Sequence, residues 1–263
     1  MTTQNPSAVV TGASTGLGAA YANRLAHRGY DLVLVARNTA RLEALASDIR
    51  AKTGRAVDVV TADLTDAEQI SVVEERLRTD ESIEVLINNA GGSLFTPLAT
   101  SDAAASEALI NLNVTSLTRL TTAVLPGLTA RGRGTVVNIS SALALNVLPV
   151  SAVYSGTKAY VLTFTQALQQ ELAESPVRVQ VVLPGAVRTE FWDGSGLDLA
   201  AFPDEWVMSA DDAVDAALAG LDAGEPVTIP SLPEIGDWES FEKARQTLIP
   251  SLSLQVPADR YRA

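Results

Sequence analysis

Tyr154 and Lys158 stand four residues apart, and Ser141 precedes the tyrosine by thirteen. On a helix, positions i and i+4 share one face, so a phenol and an ammonium placed there address the same space. An isolated tyrosine has a pKa of about 10 and is a poor acid or base at neutral pH. A cation within a few ångströms favours the phenolate and lowers that pKa. The spacing therefore predicts a phenol tuned for proton transfer to or from an oxygen, with the Ser141 hydroxyl holding that oxygen. Only three of the nineteen basic side chains are lysines (Lys52, Lys158 and Lys243). In a chain that otherwise takes arginine, a compact point charge on a flexible stem stands out at position 158. The competing reading is an ordinary helix that carries a Tyr and a Lys, which the spacing alone leaves open.

Proton transfer of this kind needs a redox partner, and the first residues offer a place for one. Ser7-Ala8-Val9-Val10 reads as a buried parallel strand. It runs into Thr11-Gly12-Ala13-Ser14-Thr15-Gly16-Leu17-Gly18, and an amphipathic helix follows with Leu17, Tyr21, Leu25 and Arg28 at helical spacing. Strand, glycine turn and helix start bring backbone N–H groups against a pyrophosphate. The spacing is Gly-x-x-x-Gly-x-Gly and not the Gly-x-Gly-x-x-Gly of the standard dinucleotide fingerprint. At the end of the second strand an acidic residue would hold the ribose 2′-OH of NAD. Ala36 and Arg37 stand there instead, with Arg41 one helical turn on. An arginine fork suits a 2′-phosphate, so NADP is the expected cofactor. The plainer reading of Arg37 is a solvated residue opening a helix.

The elements that must position these groups alternate along the chain. Strands are predicted at 7–11, 31–36, 57–61, 84–88, 134–139, 177–183 and 226–229, and helices at 16–28, 38–53, 66–79, 102–130, 152–174 and 210–222. Such alternation implies a parallel sheet covered on both faces. The 263 residues carry no repeat or linker, so one domain over 1–263 is expected. Residues 189–209 break the pattern as an insert, and residues 231–263 form a tail with Trp238, Phe241 and Leu248 on a short helix.

Composition excludes several classes. A net charge of −12 argues against nucleic acid and anionic membrane surfaces. There is no cysteine, hence no disulfide framework and no thiol nucleophile, and His27 is the single histidine, so no metal site is expected. No apolar run reaches the length of a membrane span. The N-terminus, Met1-Thr2-Thr3-Gln4-Asn5, lacks the pattern of a signal peptide. A cytoplasmic protein is the expectation.

Taken in order, Thr-Gly-x-x-x-Gly-x-Gly at 11–18, Asp63-Leu64, Asn88-Asn89-Ala90-Gly91, Asn113, Ser141, Tyr154-x-x-x-Lys158 and Pro184-Gly185 with Thr189 resemble the short-chain dehydrogenase/reductase family. The resemblance covers roughly residues 7 to 230. It implies a Rossmann-like, doubly wound parallel sheet of about seven strands and a homo-oligomer, dimer or tetramer. It implies that Gly12, Ser14, Gly16, Leu17 and Gly18 hold the pyrophosphate. Asp63 would bond the adenine amino group and Leu64 line its pocket. Asn89, Ala90 and Gly91 would flank the adenosine ribose. Pro184, Gly185, Val187 and Thr189 would hold the nicotinamide carboxamide. Asn113 would distort its helix and hold a water relaying protons to Lys158, which also bonds the nicotinamide ribose. Ser141 is preferred to Ser140 on family spacing, and Asn113 competes with Asn111. Many NADP enzymes of the family also carry a basic residue where Thr15 stands, so Arg37 acts without that support. Asp63 could equally be the N-cap of a helix starting at Thr65.

On this reading the chain exchanges a hydride between NADP(H) and a ketone or aldehyde, with Tyr154 giving the proton. The insert holds Phe191, Trp192, Leu197, Leu199, Phe202 and Trp206, and the Ser141–Tyr154 segment adds Leu143, Leu145, Val147 and Leu148. Leu94 and Phe95 follow the asparagine turn, and Arg188 is the one nearby cation. An uncharged apolar carbonyl compound is therefore expected. Two other classes compete. Gly12-Ala13-Ser14-Thr15-Gly16 fits a hydrolase nucleophile elbow, but the required base would have to be His27, on the helix leaving the same turn. A non-catalytic NADP-binding regulator would have no need of intact Ser141, Tyr154 and Lys158.

Overall fold

The first strand, β1 (Ser7–Thr11), buries every residue. Its neighbour β2 (Asp31–Ala36) buries the central four. Both faces of these strands are apolar because both are covered. Ala8, Val10, Leu32 and Leu34 enter one core, whereas Val9, Val33 and Val35 enter another. That is the pattern of a parallel strand between two helical layers. Each large apolar side chain so buried contributes about 1.5–3 kcal/mol.

The structure is a computed structural model that describes residues 5–262; the leader reading at Met1-Thr2-Thr3-Gln4 lies outside the described residues, as does Ala263. The remaining strands are β3 (Val57–Thr61), β4 (Ile83–Asn88), β5 (Thr135–Ile139), β6 (Arg178–Val182), β7 (Ala186–Arg188), β8 (Val207–Ser209) and β9 (Val227–Thr228). The helices are α1 (Gly16–His27), α2 (Thr39–Thr53), α3 (Ala67–Thr79), α4 (Ala103–Ile110), α5 (Ser116–Arg131), α6 (Ala152–Glu171), α7 (Ala210–Ala223) and α8 (Ile235–Gln246). Seven strands form one sheet in the order β3-β2-β1-β4-β5-β6-β9. All its pairs are parallel. This is the Rossmann-like, doubly wound sheet. The first core takes Tyr21 and Leu25 of α1, Leu42 and Ile49 of α2 and Leu218 of α7. The second takes Val73 of α3, Leu120 and Val124 of α5 and Leu168 of α6. Strand order reverses between β1 and β4, which opens a crevice at their carboxyl ends, where such sheets bind ligands.

Two features depart from the expected elements. The single helix at 102–130 is broken into α4 and α5 by a π-turn over Asn111–Thr115. The insert is not structureless: β7 pairs with β8 in a second, two-stranded parallel sheet, with three short 3-10 turns between them. Residues through Pro230 form one compact unit and those from Ser231 a second. Within the second, the Trp238 and Phe241 rings lie 5.5 Å apart on α8. Among the described residues no helix is long and apolar enough to cross a membrane.

Candidate active site

The glycine turn is held by the end of β4. Thr11 Oγ1 accepts from the backbone N–H groups of Asn89 and Ala90, both at 3.0 Å. Asn89 Nδ2 in return donates to the carbonyls of Thr11 (2.9 Å) and Gly12 (3.2 Å). Gly12 has φ +64°, and a Cβ there would lie 2.9 Å from Ala90 Cα. A Cβ on Gly18 would meet the Gly12 carbonyl oxygen at 2.2 Å, so helix and turn pack too closely for any side chain. Gly16 (φ +55°) faces Thr189, whose Cγ2 would lie 2.9 Å from an added Cβ. The turn thus connects the ends of β1 and β4 with the segment that follows β7.

The residues present fit a dinucleotide. Helices α2, α3, α4 and α7 are capped by the side chains of Asn38, Asp66, Asp102 and Ser209. Thr15 makes no such cap for α1, and no acid stands in the first turn of α1. Its leading N–H groups, which cannot bond within the helix, are left for an anion. Ser14 and Leu17 lie in this stretch, both partly buried. Arg37 is exposed beyond β2. Asp63 follows β3 and accepts from the Thr65 hydroxyl (2.7 Å) and amide (2.9 Å). Those bonds, led by the hydroxyl and aided by the nearby Arg37 charge, hold its carboxyl below the usual range. The expected cap role passes instead to Asp66, which starts α3 two residues later than the sequence suggests. Leu64 is buried.

The proton-transfer groups converge at the ends of β4, β5 and β6. Ser141 follows β5, and its neighbours are pinned to the β6 end through Ser140 N to Val182 O (2.8 Å) and Ala142 N to Pro184 O (2.9 Å). Ser140 Oγ donates to the Lys158 carbonyl at 2.7 Å, which braces α6 and leaves Ser141 as the serine beside the tyrosine. The Ser141 hydroxyl bonds the Tyr154 phenol. Tyr154, Thr157 and Lys158 are buried on α6. Asn113 sits inside the π-turn and is 2% exposed. The widened turn lets its carboxamide leave the helix: Oδ1 accepts from Gly92 N (2.9 Å), and Nδ2 donates to Gly92 O and Thr157 Oγ1 (both 3.0 Å). Thr157 Oγ1 donates onward to the Tyr154 carbonyl at 2.7 Å. Asn111 meets only Thr115, at the surface. A Cβ on Gly91 would lie 3.2 Å from Asn113 Oδ1 and 3.6 Å from Lys158 Nζ, a close fit beside both groups.

One expectation is reversed. Burial pushes the Tyr154 phenol up to about 12, with the Ser141 hydrogen bond acting in the opposite sense. The same burial pushes Lys158 down to about 8. The reason is geometric. Lys158 Nζ donates to the Ile139 carbonyl at 2.9 Å and lies 5.7 Å from the phenol ring centroid. Desolvation therefore outweighs the attraction that spacing alone suggested.

Aromatic rings surround the phenol. Phe95 and Phe191 lie 5.3 and 5.9 Å from Tyr154, centroid to centroid. Trp192 stacks on Phe95 at 5.9 Å and touches Phe202 at 5.4 Å. The Trp192 indole N–H donates to Val187 O at 2.8 Å, and Thr189 Oγ1 accepts from Phe191 N. Pro184, Gly185, Val187 and Thr189 thus carry the insert directly onto the site. Leu94, Leu143 and Leu197 pack around the cluster. Trp206, Leu145 and Val147 do not join it and are exposed. Arg188 pairs with Asp204 at 3.4 Å.

Thr11 and Thr157 are site residues the sequence reading missed. Thr157 lies inside Tyr154-x-x-x-Lys158 and points to the same helix face, which was the available signal. The elbow reading of Ser14 fails on distance, since His27 closes α1, about 16 Å along its axis from Gly16 at about 1.5 Å per residue.

Comparison with known proteins agrees with this geometry. The family model for short chain dehydrogenase matches residues 6–199. Human 17-beta-hydroxysteroid dehydrogenase type 3 is 38% identical over 184 residues, which is 69% of this chain and 59% of that protein. The chain thus spans about three fifths of that relative's length. A short-chain dehydrogenase from Sphingobium yanoikuyae, solved in complex with NADPH, superposes with a TM-score of 0.94 at 46% identity, covering 98% of this chain and 100% of that one. The bulky-bulky ketone specific alcohol dehydrogenase from Comamonas testosteroni gives a TM-score of 0.91 at 40% identity, covering 99% of this chain and 100% of the other. The family match begins one residue before β1 and runs to Leu199, about three quarters of the chain, and the chain belongs to the short chain dehydrogenase family of oxidoreductases.

Proposed function

We propose that this chain is an NADP(H)-dependent oxidoreductase that interconverts a bulky, uncharged ketone and its alcohol. The observation that carries the reading is the Ser141-bonded Tyr154 phenol standing inside a ring of Phe95, Phe191 and Trp192. The glycine turn at 12–18, Asp63, Leu64, the Asn89-Ala90-Gly91 end of β4 and the Pro184–Thr189 segment would hold the cofactor, with Arg37 toward its 2′-phosphate. Bound there, a nicotinamide supplies or accepts the hydride. The protein's part is orientation and the proton. A phenol near 12 is protonated at neutral pH, so Tyr154 is ready to donate to a carbonyl oxygen as negative charge develops on it. Ser141 holds that oxygen beside the phenol. Lys158 would bring a positive charge beneath the site and bond a hydroxyl of the nicotinamide ribose. Asn113 and Thr157 fix the first turn of α6 against Gly92.

Two features support the finer terms. No acid stands at the end of β2, where NAD would require one. The pocket wall is aromatic and aliphatic, and its nearby cation, Arg188, is engaged by Asp204. The neighbours solved with NADPH, and the one described as specific for bulky-bulky ketones, point the same way.

The testing experiment is a panel of carbonyl compounds assayed with NADPH and with NADH. Diaryl or other bulky apolar ketones are expected to give the highest kcat/KM with NADPH. Trp192→Ala should raise KM for these more than for small ketones. A panel led by anionic or sugar-like carbonyls overturns the substrate assignment. Arg37→Asp should remove a charge-assisted contact of about 1.5–3 kcal/mol, so preference should move about tenfold or more toward NADH. A parent enzyme that already favours NADH overturns the cofactor assignment.

A further inference from the structure

Arg41, the second candidate for a 2′-phosphate, is already occupied: its Nη1 pairs with Glu190 Oε2. The partners come from distant parts of the fold. Arg41 lies in the first turn of α2, after β2, and Asn38 caps that turn through the Arg41 amide at 3.1 Å. Glu190 follows β7 and comes immediately after Thr189, whose methyl group lies against Gly16. In the sheet β2 and β6 stand on opposite sides of β1. The ion pair therefore straddles the glycine turn that follows β1, with its cation on the adenosine side and its anion on the lid side. Both side chains are about half exposed, 49% and 53%, so a dissolved ligand can reach them.

We propose that Glu190 is a cofactor-specificity residue: it holds Arg41 across the glycine turn, and the 2′-phosphate of the cofactor must draw Arg41 away from it. This rests on the NADP reading above. A guanidinium with a carboxylate in its fork offers a second anion fewer donors and a weaker field. The Glu190 charge itself opposes a phosphate arriving at Arg37 and Arg41. An exposed ion pair is weak enough for a ligand to displace it, which limits the effect to about fivefold in affinity. Because Glu190 is joined to Thr189 and to Phe191, displacement also frees one anchor of the segment that roofs Tyr154. Binding of the phosphorylated ribose is thereby linked to the lid.

Calorimetric titration of the whole protein with NADPH, NADH and adenosine 2′,5′-bisphosphate tests this without turnover. Glu190→Gln, a neutral isostere, should bind NADPH and the bisphosphate about fivefold more tightly and NADH unchanged. Adding Arg41→Ala should cancel the part of the gain that comes from freeing Arg41, leaving only the smaller relief of repulsion at Arg37. Equal tightening for NADH, or unchanged or weaker binding of the bisphosphate, overturns the proposal. Arg37→Ala reports on the cofactor reading separately: if it leaves the NADPH-to-NADH affinity ratio unchanged, that reading fails. The response of the bisphosphate to Glu190→Gln decides the role of Glu190 in either case.

Discussion

Tyr154→Phe is expected to lower carbonyl reduction about 10²–10⁴-fold, the usual contribution of a positioned proton donor, while NADPH binding stays largely intact. The substitution removes one oxygen and keeps the ring. The contacts of that ring with Phe95 at 5.3 Å and Phe191 at 5.9 Å survive, so the pocket wall keeps its shape. The Ser141 hydroxyl loses the phenol but still accepts from Leu143 N at 3.1 Å. Folding should therefore change little, and the loss falls on the proton. Steady-state kinetics with a bulky ketone, paired with NADPH titration, makes the measurement. A variant that reduces ketones at the parental rate rules out Tyr154 as the donor.

Lys158→Met should abolish most turnover and yet raise stability at neutral pH. The Lys158 ammonium is 6% exposed, and burial brings it to about 8. An unfolded chain holds that proton to about 10.4, so keeping the charge inside costs about 3 kcal/mol at pH 7. Methionine fills similar space without charge, although the Ile139 carbonyl then loses its donor, a loss of about 1–3 kcal/mol. The balance predicts a melting temperature at or above that of the parent at pH 7. The sign with pH follows from proton counts. Between about 8 and 10.4 the unfolded parent binds more protons than the folded parent, so its stability climbs with pH. The variant has no such limb, and its advantage should close by about pH 10. Reduction by the parent should fall above about pH 8 as Lys158 loses its charge. Melting curves of both proteins from pH 6 to 10 provide the check. Parallel pH dependences would show that Lys158 is not a buried ammonium, and would remove the physical reason for calling it a functional residue.

Such a lysine is kept against stability, which is why its type was informative in the sequence. The same holds for Gly12 and Gly18, whose neighbours leave no room for a side chain. The main-sheet strand positions were also legible to within about a residue, because β1, β2 and β4–β6 are buried on both faces and are therefore mostly Val, Leu and Ile, with few polar interruptions such as Asn138 and Gln180. The break between α4 and α5 was not legible as a boundary. Local propensity favours one continuous helix there, and the π-turn exists because Asn113 is pulled inward to Gly92 and Thr157, residues 21 and 44 positions away.

By itself the sequence determined the seven main-sheet strands, the glycine turn and the Tyr154–Lys158 pair on one helix, since these depend on residue type and on spacing within single elements; Asn113 and Ser141 came from the family resemblance. Tertiary structure decided how those groups are tuned and what surrounds them. The pKa directions of Tyr154 and Lys158 come from burial by segments remote in sequence, and burial reversed the effect expected of an i, i+4 pair. Of the apolar side chains in the insert, packing gathers Phe191, Trp192, Leu197 and Phe202 and leaves Trp206 outside. The engagement of Arg41 by Glu190, 149 residues away, is invisible to any local pattern. Charge placement across a groove is a property of the folded sheet order, in which β2 lies on one side of β1 and β4, β5 and β6 lie on the other.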